Sequence, residues 1–371
     1  MFKRTLIAAS LTVAALASAQ AMAANVTGGG ASLPAALYKG SSNSILPANF
    51  SYAVTGSGIG KSAFLTNTAS QFGTTGTVHF AASDSILSAS ELSTYTANFG
   101  TSYGPLIQLP SVATSVAIPY KKAGNTTLNL TSTQLCDALS GAKTTWGELL
   151  NNDAKTDETP IRVVYRTASS GTTEILTRHL NSVCPGQFAV NTTFTSARLG
   201  GSPLPANWVG VVNTADVATA VNAVDGSIGY VGPDGVNASS NAVVARINGV
   251  QPTSANVNAA LSSAALPSTP SNPAQWVPVV ANPSTGYAMA AYTNFIFGQC
   301  YKDAAVAADV KAFLTQHYST PGNAVATAAH GFIPVPTNWK NAVTANFITN
   351  STGNNLDINN ASVCNAVGRP L

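Results

Sequence analysis

Charge is what this chain has least of. Of its 371 residues only 8% are Asp, Glu, Lys or Arg, with 17 basic against 14 acidic and a formal net charge of +3. The basic residues form no run or stripe. That excludes the many-phosphate electrostatic footprint on which nucleic-acid binding rests, and no nucleic-acid partner is expected. Ten Asp and four Glu leave little room for clustered carboxylates. The four histidines, His79, His179, His317 and His330, are scattered without metal-ligand spacing, and there is no CxxC pair or Cys/His cluster. Neither a metal nor a cofactor is expected. No Gly-x-Ser-x-Gly stretch surrounds Ser57 or Ser170, so the nucleophile elbow of the α/β hydrolases is missing. After the first two dozen residues, no apolar run is long enough for a transmembrane helix.

What is present begins with those first residues. Lys3 and Arg4, an apolar Leu6 to Ala19 and the small-x-small triplet Ala21-Met22-Ala23 read as a signal peptide over 1–23. The expected product is exported, periplasmic or secreted. About 348 residues then remain (371 minus 23), with a formal charge of +1 once Lys3 and Arg4 are gone. That length suits two domains or one large one. Cys136, Cys184, Cys300 and Cys364 are an even set in an exported chain, which points to disulfides. Four cysteines allow three pairings. The sequential one keeps each bridge within one region of the chain and closes loops of roughly 50 to 65 residues, worth about 4 kcal/mol each.

The stretch with most chemistry is Arg166-Thr167-Ala168-Ser169-Ser170-Gly171-Thr172-Thr173-Glu174. The β-branched run Ile161 to Tyr165 before it predicts a buried strand, and Glu174 to Asn181 after it has a helical pattern. Hydroxyls and a glycine therefore sit at a strand-to-helix corner. Free amides and the helix dipole there favour an anion, and Arg166 adds a fork of donors. The ordinary alternative is a Ser/Thr helix cap.

Two similar corners precede it. Gly28-Gly29-Gly30-Ala31-Ser32-Leu33-Pro34 reads as a flexible glycine run leading into a helix, with Pro34 at its first position. Gly56-Ser57-Gly58-Ile59-Gly60-Lys61-Ser62 follows a strand over Phe50 to Thr55 and leads into a helix from Ala63. It falls short of a P-loop, because position 55, where the first glycine belongs, is Thr. A short strand, Val78 to Ala82, ends in Ser83-Asp84-Ser85, where Asp84 could be a simple turn residue. Ser88 and Glu91 form a capping-box pattern. Leu106 to Tyr120 and Gly286 to Phe297 are long apolar segments suited to cross between domains. Asp303 to Tyr318 carries a core stripe of Val306, Val310, Phe313 and Leu314. Alternating strands and helices imply an α/β fold.

In this order, the corners resemble the periplasmic phosphate-binding proteins of high-affinity phosphate transporters, and most of all their DING branch. The glycine-rich opening, Gly56-Ser57-Gly58-Ile59-Gly60-Lys61, Ala82-Ser83-Asp84-Ser85, Tyr165 to Glu174, Ile228-Gly229-Tyr230-Val231 and the closing Cys364 to Leu371 carry the resemblance, which spans residues 24–371. The Asp-Ile-Asn-Gly start that names the branch is Asn25-Val26-Thr27-Gly28 here. The resemblance implies a two-lobed type II periplasmic-binding-protein fold with the ligand in the cleft. One lobe would be 24–115 plus 288–371 and the other 116–287. It also implies the sequential disulfide pairing, a monomer, inorganic phosphate as ligand and a membrane phosphate permease as partner. Carried over position by position, phosphate would be held by Ser32, the Leu33 amide, Ser57, Asp84, Arg166, Ser170, Gly171 and Thr172. Asp84 would accept the proton that phosphate carries near neutral pH and sulfate lacks. The competing reading is a secreted low-molecular-weight alkaline phosphatase of the same branch, against which stands the lack of an obvious general base or metal clamp.

Overall fold

Alternating buried strands and capped helices build an α/β molecule of two lobes. The computed structural model describes residues 24–371 apart from Ser41, Ser202 and Ser263; the expected signal peptide, 1–23, lies outside the described residues. The strands are β1 (Gly28–Gly30), β2 (Ala53–Val54), β3 (Phe80–Ser83), β4 (Leu106–Ser115), β5 (Tyr120–Lys121), β6 (Asn129–Leu130), β7 (Arg162–Arg166), β8 (Val209–Val211), β9 (Ser227–Gly229), β10 (Arg246–Ile247), β11 (Ala290–Gly298) and β12 (Ile333–Pro334). The first six helices are α1 (Ala35–Lys39), α2 (Ser57–Thr66), α3 (Ala89–Tyr103), α4 (Ser132–Ser140), α5 (Trp146–Asn151) and α6 (Gly171–Val183). The rest are α7 (Phe194–Ala197), α8 (Thr214–Ala223), α9 (Ser254–Leu261), α10 (Ala304–Tyr318), α11 (Ala324–Ala329) and α12 (Thr337–Val343).

One sheet has six strands in the order β12-β4-β11-β3-β1-β2, and a second has four in the order β5-β9-β7-β8. β1 runs parallel to β2 and β3, whereas β11 is antiparallel to both β3 and β4. The chain leaves the first sheet through β4 and returns through β11. These two lie side by side, from Ala290 opposite Ser115 to Gly298 opposite Leu106. Every residue of β4 is buried, which explains why its sequence carries no charge; its one amide, Gln108, is satisfied by the Leu87 amide and the Pro273 carbonyl.

Local signals account for many boundaries. Ser88 and Glu91 form the expected capping box, with the Glu91 amide donating to Ser88 Oγ at 3.2 Å and the Ser88 amide donating to Glu91 Oε2 at 2.7 Å. Thr131 and Thr145 cap α4 and α5 in the same manner. The stripe on α10 packs into a core with Phe50, Phe80, Phe295 and Phe297. Cys136 pairs with Cys184 and Cys300 with Cys364.

Two expectations change. The Gly28–Gly30 run is an interior strand, buried throughout. A Cβ at Gly28 would lie 2.2 Å from the Phe80 ring, and one at Gly30 would lie 2.1 Å from the Ala82 carbonyl. The glycines are therefore there for close approach, and the neighbours remove the freedom that glycine has alone. The second corner also starts its helix earlier, since Ser57 is already the first residue of α2. Lys61 lies inside that helix and donates to the Ile86 carbonyl and to Glu91, each at 3.0 Å. A lysine so engaged is part of the packing, in agreement with the failed P-loop spacing.

Candidate anion-binding site

Each expected site residue sits at the end of a strand or the start of a helix, where the backbone is open to a ligand. Ser32 and Leu33 follow β1, Ser57 opens α2, Asp84 follows β3, Arg166 ends β7, and Ser170 caps α6, whose first residues are Gly171 and Thr172. Six of them are nearly inaccessible: Leu33 3%, Ser57 1%, Asp84 3%, Arg166 1%, Ser170 2% and Thr172 0% exposed. Elements from both sheets meet here. A Cβ on Gly171 would lie 2.4 Å from Asp84 Cβ and 2.6 Å from Ser57 Oγ, so only glycine lets the start of α6 reach the Asp84 corner.

Arg166 organises the hydroxyls. Its Nη1 donates to Ser32 Oγ at 2.9 Å, Ser170 Oγ at 3.2 Å and Thr214 Oγ1 at 2.6 Å, while Nε donates to the Val212 carbonyl at 2.6 Å. Ser170 Oγ also accepts from the Thr173 amide at 3.3 Å. It thus accepts twice, and its own proton is left to point at a further acceptor. The Arg166 amide donates to the Tyr230 hydroxyl at 2.9 Å, which fixes the end of β7. With Nε and Nη1 engaged, the guanidinium acts chiefly as a buried positive charge that orients hydroxyls, rather than as a free two-toothed fork.

Asp84 faces this donor set. Ser57 Oγ accepts from the Asp84 amide at 3.1 Å and donates to Asp84 Oδ2 at 3.4 Å. Asp84 Oδ1 and Thr172 Oγ1 are buried without a partner. Burial pushes the Asp84 carboxyl up from 3.8 to about 7, against the opposing pull of Thr293, Arg166 and Ser57. The site therefore presents unfilled donors beside one unfilled acceptor. A ligand matching both carries several acceptor oxygens and one proton.

Thr214 and Tyr230 are contacts that the sequence reading did not single out as site residues. Thr214 opens α8 after Val212 and Asn213, the two residues that follow β8, a fourth hydroxyl at a strand-to-helix corner, and that pattern was the available signal. Three of the histidines serve packing. His79 Nδ1 accepts from the Thr27 amide at 2.8 Å, His179 Nε2 lies 2.8 Å from Ser132 Oγ, and His317 Nε2 lies 2.9 Å from the Ser111 carbonyl. Burial pushes His79 and His317 down to about 4. Among the described residues, no three His, Cys, Asp or Glu side chains are grouped so as to hold a metal.

Two lobes meeting at buried helix starts and strand ends define a binding-protein architecture. The PBP superfamily domain model matches residues 17–319. The chain belongs to that superfamily and, within it, to the DING-type phosphate-binding proteins. It is 65% identical over 374 residues to alkaline phosphatase L of Pseudomonas aeruginosa PAO1, covering 100% of both chains. A crystal structure of a phosphate-binding protein from Stenotrophomonas maltophilia is 46% identical with a TM-score of 0.86, over 94% of this chain and 100% of that one. A high affinity periplasmic phosphate-binding protein (PfluDING), solved with phosphate bound, is 42% identical with a TM-score of 0.86, over 94% of this chain and all of that one.

Proposed function

We propose that this protein binds inorganic phosphate with high affinity, one ion per chain, between its lobes, and serves phosphate scavenging after export. The ion is held by Ser32, the Leu33 amide, Ser57, Asp84, Arg166, Ser170, Gly171 and Thr172. The lobes comprise residues 24–115 with 288–371 and residues 116–287. A membrane phosphate permease is the partner for uptake.

The observation that carries this reading is the mixed polarity of the site. Ser170, accepting from Arg166 and Thr173, must give its proton to an acceptor. Thr172 and the first amides of α6 add further donors. Unpartnered Asp84 Oδ1, in the ionised carboxylate, calls for the opposite, a ligand that donates. Phosphate near neutral pH has oxygens for the first group and a proton for Asp84. Sulfate has no proton to give and, once Asp84 is ionised, would leave a buried carboxylate facing an oxyanion, a large penalty in a dry site. Titrating phosphate, sulfate and a phosphomonoester into dialysed protein by calorimetry tests this directly. Tight phosphate binding and far weaker sulfate binding are expected; equal binding of the two anions overturns the assignment.

Phosphomonoester hydrolysis is a second reading, favoured by the likeness to a protein named alkaline phosphatase L. The site offers a positively charged, donor-rich pocket for a phosphoryl group. The histidines with structural partners at Thr27, Ser132 and Ser111 supply no base to it. Turnover of a chromogenic phosphomonoester that Arg166→Ala abolishes would favour hydrolysis over binding alone.

A further inference from the structure

His330, the histidine that packing leaves over, sits where the two lobes meet at the surface. It follows α11 and precedes β12, the edge strand of the six-stranded sheet. Its Nδ1 lies 2.9 Å from Asp234 Oδ1, in the turn after β9 of the four-stranded sheet, and its Nε2 lies 3.2 Å from the Ser42 carbonyl, in the loop after α1. Both partners are acceptors only. A neutral imidazole has one N–H and satisfies one of them; an imidazolium has two and satisfies both. The contact is half-buried, with the side chains of His330 and Asp234 14% and 26% exposed. The backbones close in beside it: a Cβ on Gly331 would meet Pro233 at 3.3 Å, and one on Gly232 would meet Leu33 at 2.6 Å.

We infer that His330, Asp234 and the Ser42 carbonyl form a proton-operated latch between the lobes, which holds the cleft shut when the imidazole is protonated. The inference rests on the two-lobed binding reading above. The cavity wall around the ring, formed from Pro233 to Ser239, Pro252 to Ser254 and Ala328 to Gly331, carries no other titratable side chain. On the opposite side of Asp234 a cavity of about 320 Å³ is shared with Asp216, whose carboxylate accepts from the Asn213 amide at 3.2 Å. Lys39 of α1 points away, donating to the Pro47 and Ala48 carbonyls. The rim beside His330 thus carries two carboxylates, Asp234 and Asp216, and the ring's second N–H is the one group that protonation adds to it.

The test uses phosphate-free protein first. Solution scattering at about pH 6 and about pH 8 should give a smaller radius of gyration at the lower pH for the wild type. That difference should vanish in His330→Gln and in Asp234→Asn, two surface changes of similar size. A wild-type difference that both variants retain, or no difference at all, overturns the latch. Phosphate affinity, measured by calorimetry at the same two pH values, then gives a second readout. Protonation of phosphate and of Asp84 affects wild type and His330→Gln alike, so the ratio of their affinities isolates the latch. Wild type should gain on the variant by at least roughly threefold on going to the lower pH, and a ratio independent of pH counts against the latch. Failure of the wild type to bind phosphate at all would overturn the functional reading, while scattering would still decide the latch.

Discussion

At Asp84, burial and hydrogen bonding pull in opposite directions, and burial wins. The folded carboxyl titrates near 7 against 3.8 when unfolded, so between those values the folded state holds the proton that the unfolded state has lost. Stability of the ligand-free protein should therefore be highest at the acid end of this window and fall as pH rises from about 4 to about 7, by on the order of a few kcal/mol. Asp84→Asn should flatten that fall, and thermal melts across the window would show it. In the same variant the phosphate-to-sulfate preference should shrink by at least about tenfold, about 1.4 kcal/mol, because Asn carries no charge and can donate. An unchanged ratio by calorimetry would remove Asp84 from the discriminating position. Arg166→Ala should cost roughly 3 kcal/mol of phosphate affinity or more, since three hydroxyls lose the group that orients them; Ser57→Ala should cost about 1 kcal/mol. The reverse order of affinities would place the site elsewhere.

At the scale of elements, the decisive feature is the approach of α6 to the corner after β3. Gly171→Ala would set a methyl group 2.4 Å from Asp84 Cβ and 2.6 Å from the Ser85 amide. Overpacking of this kind costs roughly 1–3 kcal/mol, and here it displaces the donors themselves, so affinity should fall by roughly tenfold or more. Calorimetry beside a melting curve would separate this from general instability. What could be read in the sequence follows from how local each signal is. The start of α6 was legible because Ser170, Gly171 and a following apolar pattern are adjacent. The capping box of α3 was legible for the same reason. Thr214 was not, because it joins Ser32 and Arg166 only in the folded chain and looks locally like any helix start. The strand at Gly28–Gly30 was hidden because glycine alone signals freedom, whereas Phe80, Ala53 and Ala82, remote in sequence, demand the missing side chains.

For the whole molecule, both disulfides are confined. Cys136–Cys184 lies within the chain that runs between β4 and β11, and Cys300–Cys364 lies in the chain after β11. With cysteines 48 and 64 positions apart in sequence, each stabilises by about 4 kcal/mol in the chain-entropy model. Reduction should lower the melting temperature by roughly ten degrees or more. Size-exclusion chromatography should give the same elution volume before and after reduction, because each bridge joins two cysteines of one chain. The placement of β4 and β11 has a mechanical consequence. The chain between them leaves and re-enters at neighbouring points, where the Val116 amide donates to the Met289 carbonyl at 3.0 Å. Tension applied at the two ends of the protein, once the outer segments have yielded, reaches the β4–β11 ladder at its Leu106–Gly298 end and opens it pair by pair. Everything threaded between them is shielded from load until that ladder has unzipped, so the four-stranded sheet should give way last in a pulling experiment, although it lies in the middle of the sequence.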